Sequence, residues 1–197
     1  MNADELKSIV KEISLIISDV DGVLTDASIY IGGDGTEFKK FSVEDGAGAA
    51  FARYASIDIA LISGRYSAAT ELRAKELKIE HCYQGKLNKI EAYNELCDIY
   101  NVTPENIAYI GDGIIDLPVI EKSAISFSPP NSHSLVKEVA DIITIKSGGE
   151  GVLREVVEFL LKEQGRYSQV LEKMRKDVYR GWLVYVLYYF YHVQLSK

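Results

Sequence analysis

The chain of 197 residues contains little cysteine and little proline, with two residues of the first and four of the second. Two cysteines cannot build the disulfide framework of a small secreted domain, and the spacing of Cys82 and Cys97 fits no zinc or redox motif. We therefore expect buried free thiols in a reducing compartment. Residues 1–12 are charged and lack an apolar run, so no secretory signal is predicted and the cytoplasm is the expected location.

Positive charge is also scarce. The chain has 22 lysines and arginines against 29 aspartates and glutamates, which gives a formal net charge of -7 at pH 7. An acidic chain is poorly suited to the phosphate backbone of nucleic acid, although a local basic pocket for a small phosphate is compatible with it. Nucleic acid is therefore not an expected partner.

Long apolar runs are missing except near the end of the chain. Residues 182–195 read WLVYVLYYFYHVQL, which is shorter than the run of about 20 apolar residues that spans a bilayer. We expect this segment to form a helix packed on a partner subunit or on its own domain. Attachment to a membrane surface is the less favoured alternative.

The composition is otherwise that of a globular domain, with 47% hydrophobic and 26% charged residues. Nearly continuous apolar runs at residues 14–20, 57–62 and 107–110 predict buried parallel strands. Segments with helical spacing lie between them. Strands that alternate with helices predict a doubly wound α/β fold, with a parallel sheet covered on both faces.

Two segments stand outside this alternation. Residues 28–41 contain two strand-like runs around a glycine-rich turn, which predicts a projecting β-hairpin. After residue 149 the pattern becomes helical, and Gly165 and Gly181 are the expected helix breaks. We expect a domain over residues 1–164 and a helical, aromatic-rich extension over residues 165–197.

Polar residues directly follow three of the predicted strands. They are Asp19, Ser63 and Asp112. Because the carboxyl ends of parallel strands share one edge of the sheet, where ligands bind in doubly wound folds, these side chains are expected to line one site.

Asp19 and Asp21, in the segment DVDGVLTD, suggest a division of labour. An ionised Asp19 can attack phosphorus without a base to activate it, and a divalent cation offsets the repulsion between the carboxylate and the phosphate. Mg²⁺ prefers hard oxygen ligands, and Asp112 is the natural additional ligand. Asp21 is placed to protonate the leaving alkoxide and then to accept a proton from the attacking water.

The four ordered motifs resemble those of the haloacid dehalogenase superfamily of phosphatases: DVDGVLTD and Ser63-Gly64-Arg65 after strands, a downstream lysine, and GDGIID. The resemblance implies that Asp19 is the nucleophile, Asp21 the acid and base, Ser63 a phosphate donor and Lys89 a charge clamp. It implies a Mg²⁺ site formed by the carboxylates of Asp19 and Asp112 and the backbone carbonyl of Asp21.

The resemblance also implies supporting residues. Asp116, one helical turn after Asp112, is expected to orient a metal-bound water or Lys89 from outside the ligand shell. The expected substrate-binding residues are Thr25, Gly64, Arg65 and Lys86. Lys86 is the alternative to Lys89 as the charge clamp, since it lies only three residues earlier.

The spacing of the motifs leaves no room for a cap domain. In this respect the chain resembles the small capless branch of the superfamily, which acts on phosphorylated sugar acids. An uncapped site is open to water, and in this branch the hairpin of a neighbouring subunit closes it in a homotetramer. The hairpin over residues 28–41 is expected to have this role. Its alternative is a solvated ribbon at the edge of the domain.

Two residues of the sequence point to different substrates. Arg65 resembles the residue found in phosphatases of 3-deoxy-D-manno-octulosonate 8-phosphate, and a guanidinium suits a sugar-acid carboxylate. Glu150, in the segment GGEG, resembles the phosphatases of nine-carbon sugar acids. Arg65 also has the simpler interpretation of pairing with a surface carboxylate.

We predict a Mg²⁺-dependent phosphomonoesterase acting on 3-deoxy-D-manno-octulosonate 8-phosphate through an aspartyl-phosphate. A nine-carbon 9-phosphate is the alternative substrate. The alternative of another class is a non-catalytic oligomerising module linked to a sugar-nucleotide synthase. A phosphomutase is disfavoured, because mutases need a cap to keep water from the phosphoryl group.

Overall fold

The computed structural model describes the backbone of residues 2–194 and, within that range, the side chains of all but residues 3 and 182–194. The strands are β1 (Leu15–Ser18), β2 (Tyr30–Ile31), β3 (Glu37–Phe38), β4 (Asp58–Ile62), β5 (Cys82–Tyr83), β6 (Ile107–Ile110), β7 (Ile125–Ser128) and β8 (Ile142–Ile143). The helices are α1 (Ala3–Glu12), α2 (Val43–Ala55), α3 (Ala68–Leu77), α4 (Lys89–Tyr100), α5 (Leu117–Ile120), α6 (Ser134–Val139), α7 (Val152–Glu163) and α8 (Tyr167–Gln194).

Six strands form one parallel sheet in the order β5-β4-β1-β6-β7-β8. The chain moves outward from β1 to β4 and β5, then returns to the other side of β1 to lay down the remaining three strands. The order therefore reverses between β1 and β6, and the carboxyl ends of these strands flank the crevice where doubly wound folds bind ligands. The predicted fold class is confirmed, and the described residues contain no cap domain.

Both faces of the sheet are covered. Along β1, Ile16 belongs to a core that includes residues of α1, α2 and α7, whereas Leu15 and Ile17 belong to the opposite core, formed with α4 and α5. Side chains alternate between the faces of a strand, so a strand buried on both sides must be apolar throughout. This requirement explains the unbroken apolar runs in the sequence.

The paired strands of the hairpin are shorter than the sequence predicted, with two residues in each. The antiparallel strands β2 and β3 pair Tyr30 with Phe38 and Ile31 with Glu37, and an isolated bridge joins Thr25 to Phe41 near the base of the hairpin. Four large apolar side chains of the hairpin are exposed: Ile29, Tyr30, Ile31 and Phe38.

The expected helix break at Gly181 is wrong. Gly165 has a φ of +68° and ends α7, as predicted, but α8 continues without interruption through Gly181. A single glycine costs a helix only about 1 kcal/mol relative to alanine, which neighbouring turns can offset. The start of α8 packs on the domain through Tyr167, Val170 and Leu171.

No described helix has the length and apolar character needed to cross a membrane. The packing predicted for residues 182–195 concerns side chains outside the described set. Cys82 and Cys97 are both free thiols, and each is half-buried rather than fully buried.

A buried carboxylate of α2 caps the start of α7. Asp45 is 1% exposed, and its Oδ1 accepts hydrogen bonds from the backbone N–H groups of Leu153 (3.0 Å) and Arg154 (3.4 Å). Its Oδ2 has no hydrogen-bond partner among the described residues. Burial raises the pKa of Asp45 to about 6, against the lowering effect of these hydrogen bonds.

We expect Asp45→Asn to remove one component of the pH dependence of stability. A carboxyl whose pKa is raised on folding favours the folded state while it is protonated, so its contribution falls as the pH rises from about 4 to about 6 and is constant above that range. The pKa difference corresponds to at most roughly 3 kcal/mol, so between pH 4 and pH 6 the stability of the variant relative to the wild type should rise by up to that amount. Urea denaturation at a series of pH values measures this, and parallel profiles for the two proteins would contradict it.

Candidate active site

Asp19 lies at the sheet reversal, directly after β1. Its backbone N–H donates to the carbonyl of Ile110 on β6 (2.8 Å), which ties the residue to the neighbouring strand. The residue is 5% exposed, and Oδ1 accepts from the N–H of Val20 (2.6 Å). The side chain is thus held at the mouth of the crevice, with one oxygen anchored to its own backbone.

Lys89, the first residue of α4, is buried between two carboxylates and is only 1% exposed. Its Nζ lies 2.9 Å from Oδ2 of Asp19 and 2.6 Å from Oδ1 of Asp116. Burial by itself lowers the pKa of Lys89, but the two carboxylates outweigh burial and raise it. The lysine therefore stays charged, as a phosphate clamp must.

Asp116 is completely buried and its carboxylate accepts four hydrogen bonds. Oδ1 accepts from Nζ of Lys89 and from the hydroxyl of Tyr109, both at 2.6 Å. Oδ2 accepts from the backbone N–H groups of Asp112 (3.1 Å) and Gly113 (2.9 Å). Asp116 therefore positions Lys89 and the loop that carries Asp112, and four donors leave it little capacity to ligate a metal.

Carboxylate oxygens of Asp19, Asp112 and Asp116 all lie within 4.8 Å of one another. Burial, and then the negative charge of Asp116, raise the pKa of Asp112 to about 7. One lysine does not balance three ionised carboxylates, so full ionisation of the cluster calls for a further cation, and its oxygen donors are hard. These residues fit Mg²⁺, with Asp19 and Asp112 as the carboxylates that have free lone pairs.

Gly22 allows Asp112 to approach the loop after β1. It has a φ of +89°, and a Cβ placed on it would lie 2.0 Å from Oδ2 of Asp112. On the other side of the loop, a Cβ on Gly148 would lie 2.1 Å from the carbonyl oxygen of Gly22. Asn131 joins the two segments, donating to the Gly22 carbonyl (3.0 Å) and accepting from the Gly148 N–H (2.7 Å). The GGEG segment therefore supports the site loop, whereas Glu150 itself is exposed.

Asp21 faces the hairpin rather than the carboxylate cluster. Its Oδ1 lies 2.7 Å from Nζ of Lys39, and its Oδ2 has no hydrogen-bond partner among the described residues. The buried hydroxyl of Thr25 accepts from the N–H groups of Gly22 (3.3 Å) and Ala27 (3.2 Å). Thr25 thus holds the turn that carries Asp21.

Ser63 directly follows β4, which pairs with β1, and is buried. Its hydroxyl accepts from the N–H of Arg65 (3.3 Å), and its carbonyl accepts from the N–H of Lys86 (3.0 Å). Gly64 packs near Ile115, so a side chain at that position would collide with it. Of the two candidate clamps, Lys89 has its ammonium at Asp19, whereas Lys86 reaches this region through its backbone.

Arg65 is exposed and its guanidinium pairs with Glu37 of the hairpin at 3.0 Å. This is the surface pairing that the sequence left open as an alternative. The guanidinium has further donors, and the Arg65 side chain is 45% exposed, so donors remain available for a substrate.

Three residues of the site escape prediction from the sequence. Lys39, Tyr109 and Asn131 contact Asp21, Asp116 and Gly22, respectively. Tyr109 had one usable signal, because it is a phenol inside an otherwise aliphatic strand and a buried hydroxyl needs a partner. Lys39 and Asn131 lie in polar segments that resemble ordinary loops.

Comparison with known proteins identifies the family of the chain. A sequence model of the haloacid dehalogenase-like hydrolases matches residues 67–156. The 3-deoxy-D-manno-octulosonate 8-phosphate phosphatase KdsC of Escherichia coli K12 is 43% identical over 159 residues, covering 81% of this chain and 85% of the relative. The chain belongs to this family of haloacid dehalogenase-like phosphatases.

Solved structures of the family have the same fold. The octulosonate 8-phosphate phosphatase of Moraxella catarrhalis, in complex with magnesium, phosphate and KDO, superposes with a TM-score of 0.84 and 37% identity over 88% of this chain and 99% of that one. The enzyme from Yersinia pestis gives a TM-score of 0.81 and 39% identity over 84% and 89%. The magnesium in the Moraxella structure agrees with the cofactor predicted from the sequence.

We expect Gly22→Ala to weaken magnesium binding at least about tenfold, because the methyl group must displace the carboxylate of Asp112. Isothermal titration with MgCl₂ measures this. Gly35→Ala is the matched control: Gly35 has a nearly identical φ of +85°, but a Cβ there meets no atom within 4 Å. Equal affinities in the two variants would show that the position of Asp112 does not depend on Gly22.

Proposed function

We propose that this chain is a Mg²⁺-dependent phosphomonoesterase that hydrolyses 3-deoxy-D-manno-octulosonate 8-phosphate to the free sugar acid and phosphate. The observation that carries the proposal is the buried Lys89 between Asp19 and Asp116, beside Asp112. Membership of a family whose curated members have this activity supports the substrate. An intact set of reactive groups speaks against a non-catalytic module.

In this proposal Asp19 is the nucleophile. A carboxylate oxygen of Asp19 forms a bond to phosphorus while the bond from phosphorus to the sugar oxygen breaks, and Asp21 gives a proton to the departing alkoxide. A water molecule then attacks the aspartyl-phosphate, Asp21 takes a proton from it, and phosphate leaves with the carboxylate of Asp19 restored.

The remaining residues stabilise charge. Lys89 and the Ser63 hydroxyl would contact the phosphoryl oxygens, and Lys89 faces the position of attack because Asp116 holds its ammonium there. Asp19, Asp112 and the backbone carbonyl of Asp21 would hold Mg²⁺. When bound, Mg²⁺ reduces the repulsion between the attacking carboxylate and the phosphate.

Substrate choice rests on Arg65 at the edge of the site. Its free donors would meet the sugar-acid carboxylate, and its partner Glu37 limits where the guanidinium can point. Thr25, Gly64 and Lys86 are the other proposed substrate-binding residues. The alternative of a nine-carbon substrate depended on Glu150. Glu150 follows the glycines that support the site loop, and it is exposed to solvent.

We also propose a homotetramer in which the hairpin of one subunit covers the site of a neighbour. Four exposed apolar side chains on a short ribbon are unfavourable in water, and burial between subunits would remove them from it. The proposed unit is a phosphatase domain over residues 1–164 followed by the helical extension 165–197. The substrate, a precursor of lipopolysaccharide, fits a cytoplasmic enzyme.

We expect Mg²⁺-dependent phosphate release from the eight-carbon 8-phosphate at a kcat/KM at least about tenfold above that for a nine-carbon 9-phosphate. Asp19→Asn, which removes the nucleophile at nearly constant volume, should abolish release from both. Colorimetric phosphate detection, with EDTA-treated protein as a second blank, measures this. A preference for the nine-carbon compound would overturn the substrate, and full activity of Asp19→Asn would overturn the mechanism.

We expect Ile31→Lys to dissociate the assembly and to lower phosphatase activity, because it puts a charge into the proposed interface. Sedimentation velocity gives the mass of each species. Ile145→Lys is the control. Ile145 lies outside the hairpin and is more exposed than Ile31, 88% against 73%. A wild-type monomer, or an unchanged mass for Ile31→Lys, would contradict a hairpin interface.

A further inference from the structure

A second lysine is buried at the site, and the mechanism above does not use it. The side chain of Lys39, which follows β3, has no exposed surface. Its Nζ lies 2.7 Å from Oδ1 of Asp21 and 3.3 Å from the hydroxyl of Thr70, a buried residue of α3. The neighbouring Lys40 is 58% exposed and comes no closer than 4.0 Å to the carboxylate of Asp26.

Burying an ammonium costs several kcal/mol unless it is paired and hydrogen-bonded, so the position of Lys39 calls for an explanation. The strand period supplies the local cause. Side chains at alternate positions share a face, which directs Glu37 and Lys39 inward to Arg65 and Asp21, and leaves Lys40 in water. The hairpin therefore contributes two side chains to the site of its own subunit, whatever it does for a neighbour.

The two oxygens of Asp21 have different surroundings. Oδ1 is held by Lys39 at 2.7 Å and accepts a longer hydrogen bond from the Thr25 hydroxyl (3.5 Å), whereas Oδ2 is buried and has no hydrogen-bond partner among the described residues. A carboxylate that must give and take protons needs one oxygen fixed by the protein and the other directed at the reacting atoms. An ion pair to Oδ1 meets the first need and leaves Oδ2 for the second.

We propose that Lys39 is a positioning residue for proton transfer: its ion pair with Oδ1 of Asp21 presents Oδ2 to the leaving group and then to the attacking water. This inference rests on the proposed function, in which Asp21 is the acid and base. Lys39 itself exchanges no proton and touches no reacting atom. Thr70 holds the ammonium from the other side.

If Lys39 has this role, the activity lost on its replacement should depend on the leaving group of the substrate. In Lys39→Met the apolar chain length is kept and the charge is removed, so Oδ1 of Asp21 keeps only the long contact with the Thr25 hydroxyl (3.5 Å) and the carboxylate is held less firmly. Departure of a sugar alkoxide needs a proton, whereas departure of 4-nitrophenolate does not, and hydrolysis of the aspartyl-phosphate needs Asp21 in both cases.

We therefore expect Lys39→Met to lower kcat for the sugar phosphate by about 10²-fold or more, with little change in KM. With 4-nitrophenyl phosphate it should release one equivalent of nitrophenolate per site at close to the wild-type first-turnover rate, followed by slow turnover. Stopped-flow absorbance resolves the two phases. Lys40→Met, the matched control one residue away, should behave as wild type in both assays.

Three results would overturn the proposal. A burst slowed as much as the steady state would make Lys39 a structural residue, a rise in KM alone would make it a substrate contact, and wild-type kinetics would give it no role. If Lys39→Met does not fold, Thr70→Val takes its place, with a loss of a few fold in kcat and an unchanged burst expected. Failure of the proposed function is distinguishable, because wild-type protein would then release no more phosphate than Asp19→Asn.

Discussion

The site is organised around one ammonium group buried between two carboxylates. Lys89 joins the end of β1, through Asp19, to the loop after β6, through Asp116. A buried pair of this kind is costly unless every group is satisfied, and here Tyr109 and two backbone N–H groups supply the remaining hydrogen bonds of Asp116. These ion pairs therefore hold the first turn of α4 against the edge of the sheet.

Close backbone approach makes the crevice compact. Gly22 admits Asp112 on one side, and Gly148 admits the Gly22 carbonyl on the other. Asn131 then fastens these segments together. The carboxylates that would hold Mg²⁺ are thus placed by contacts in which a single methyl group would not fit, and the glycines of DVDG and GGEG belong to the same arrangement.

The hairpin carries two sets of side chains with different surroundings. Its exposed apolar side chains are suited to a neighbouring subunit, while Glu37 and Lys39 point to Arg65 and Asp21 of the same chain. A ribbon that contributes to its own site and covers another would couple assembly to the arrangement of the site. The absence of a cap domain in the described residues makes this coupling chemically reasonable, because some other surface must exclude water.

The sequence by itself determined the fold class and the central residues. Strands buried on both faces must be apolar, and the polar residues that end them must meet at one sheet edge, so Asp19, Ser63 and Asp112 could be found from pattern and motif alone. The motif spacing favoured Lys89 over Lys86, but pattern could not show that the Lys89 ammonium lies at Asp19, find the contacts of Lys39 and Asn131, or show that α8 continues through Gly181. Only the tertiary structure decided these points, because each depends on which surfaces meet across the fold, and a residue's local sequence carries no record of a partner 18 or 109 positions away.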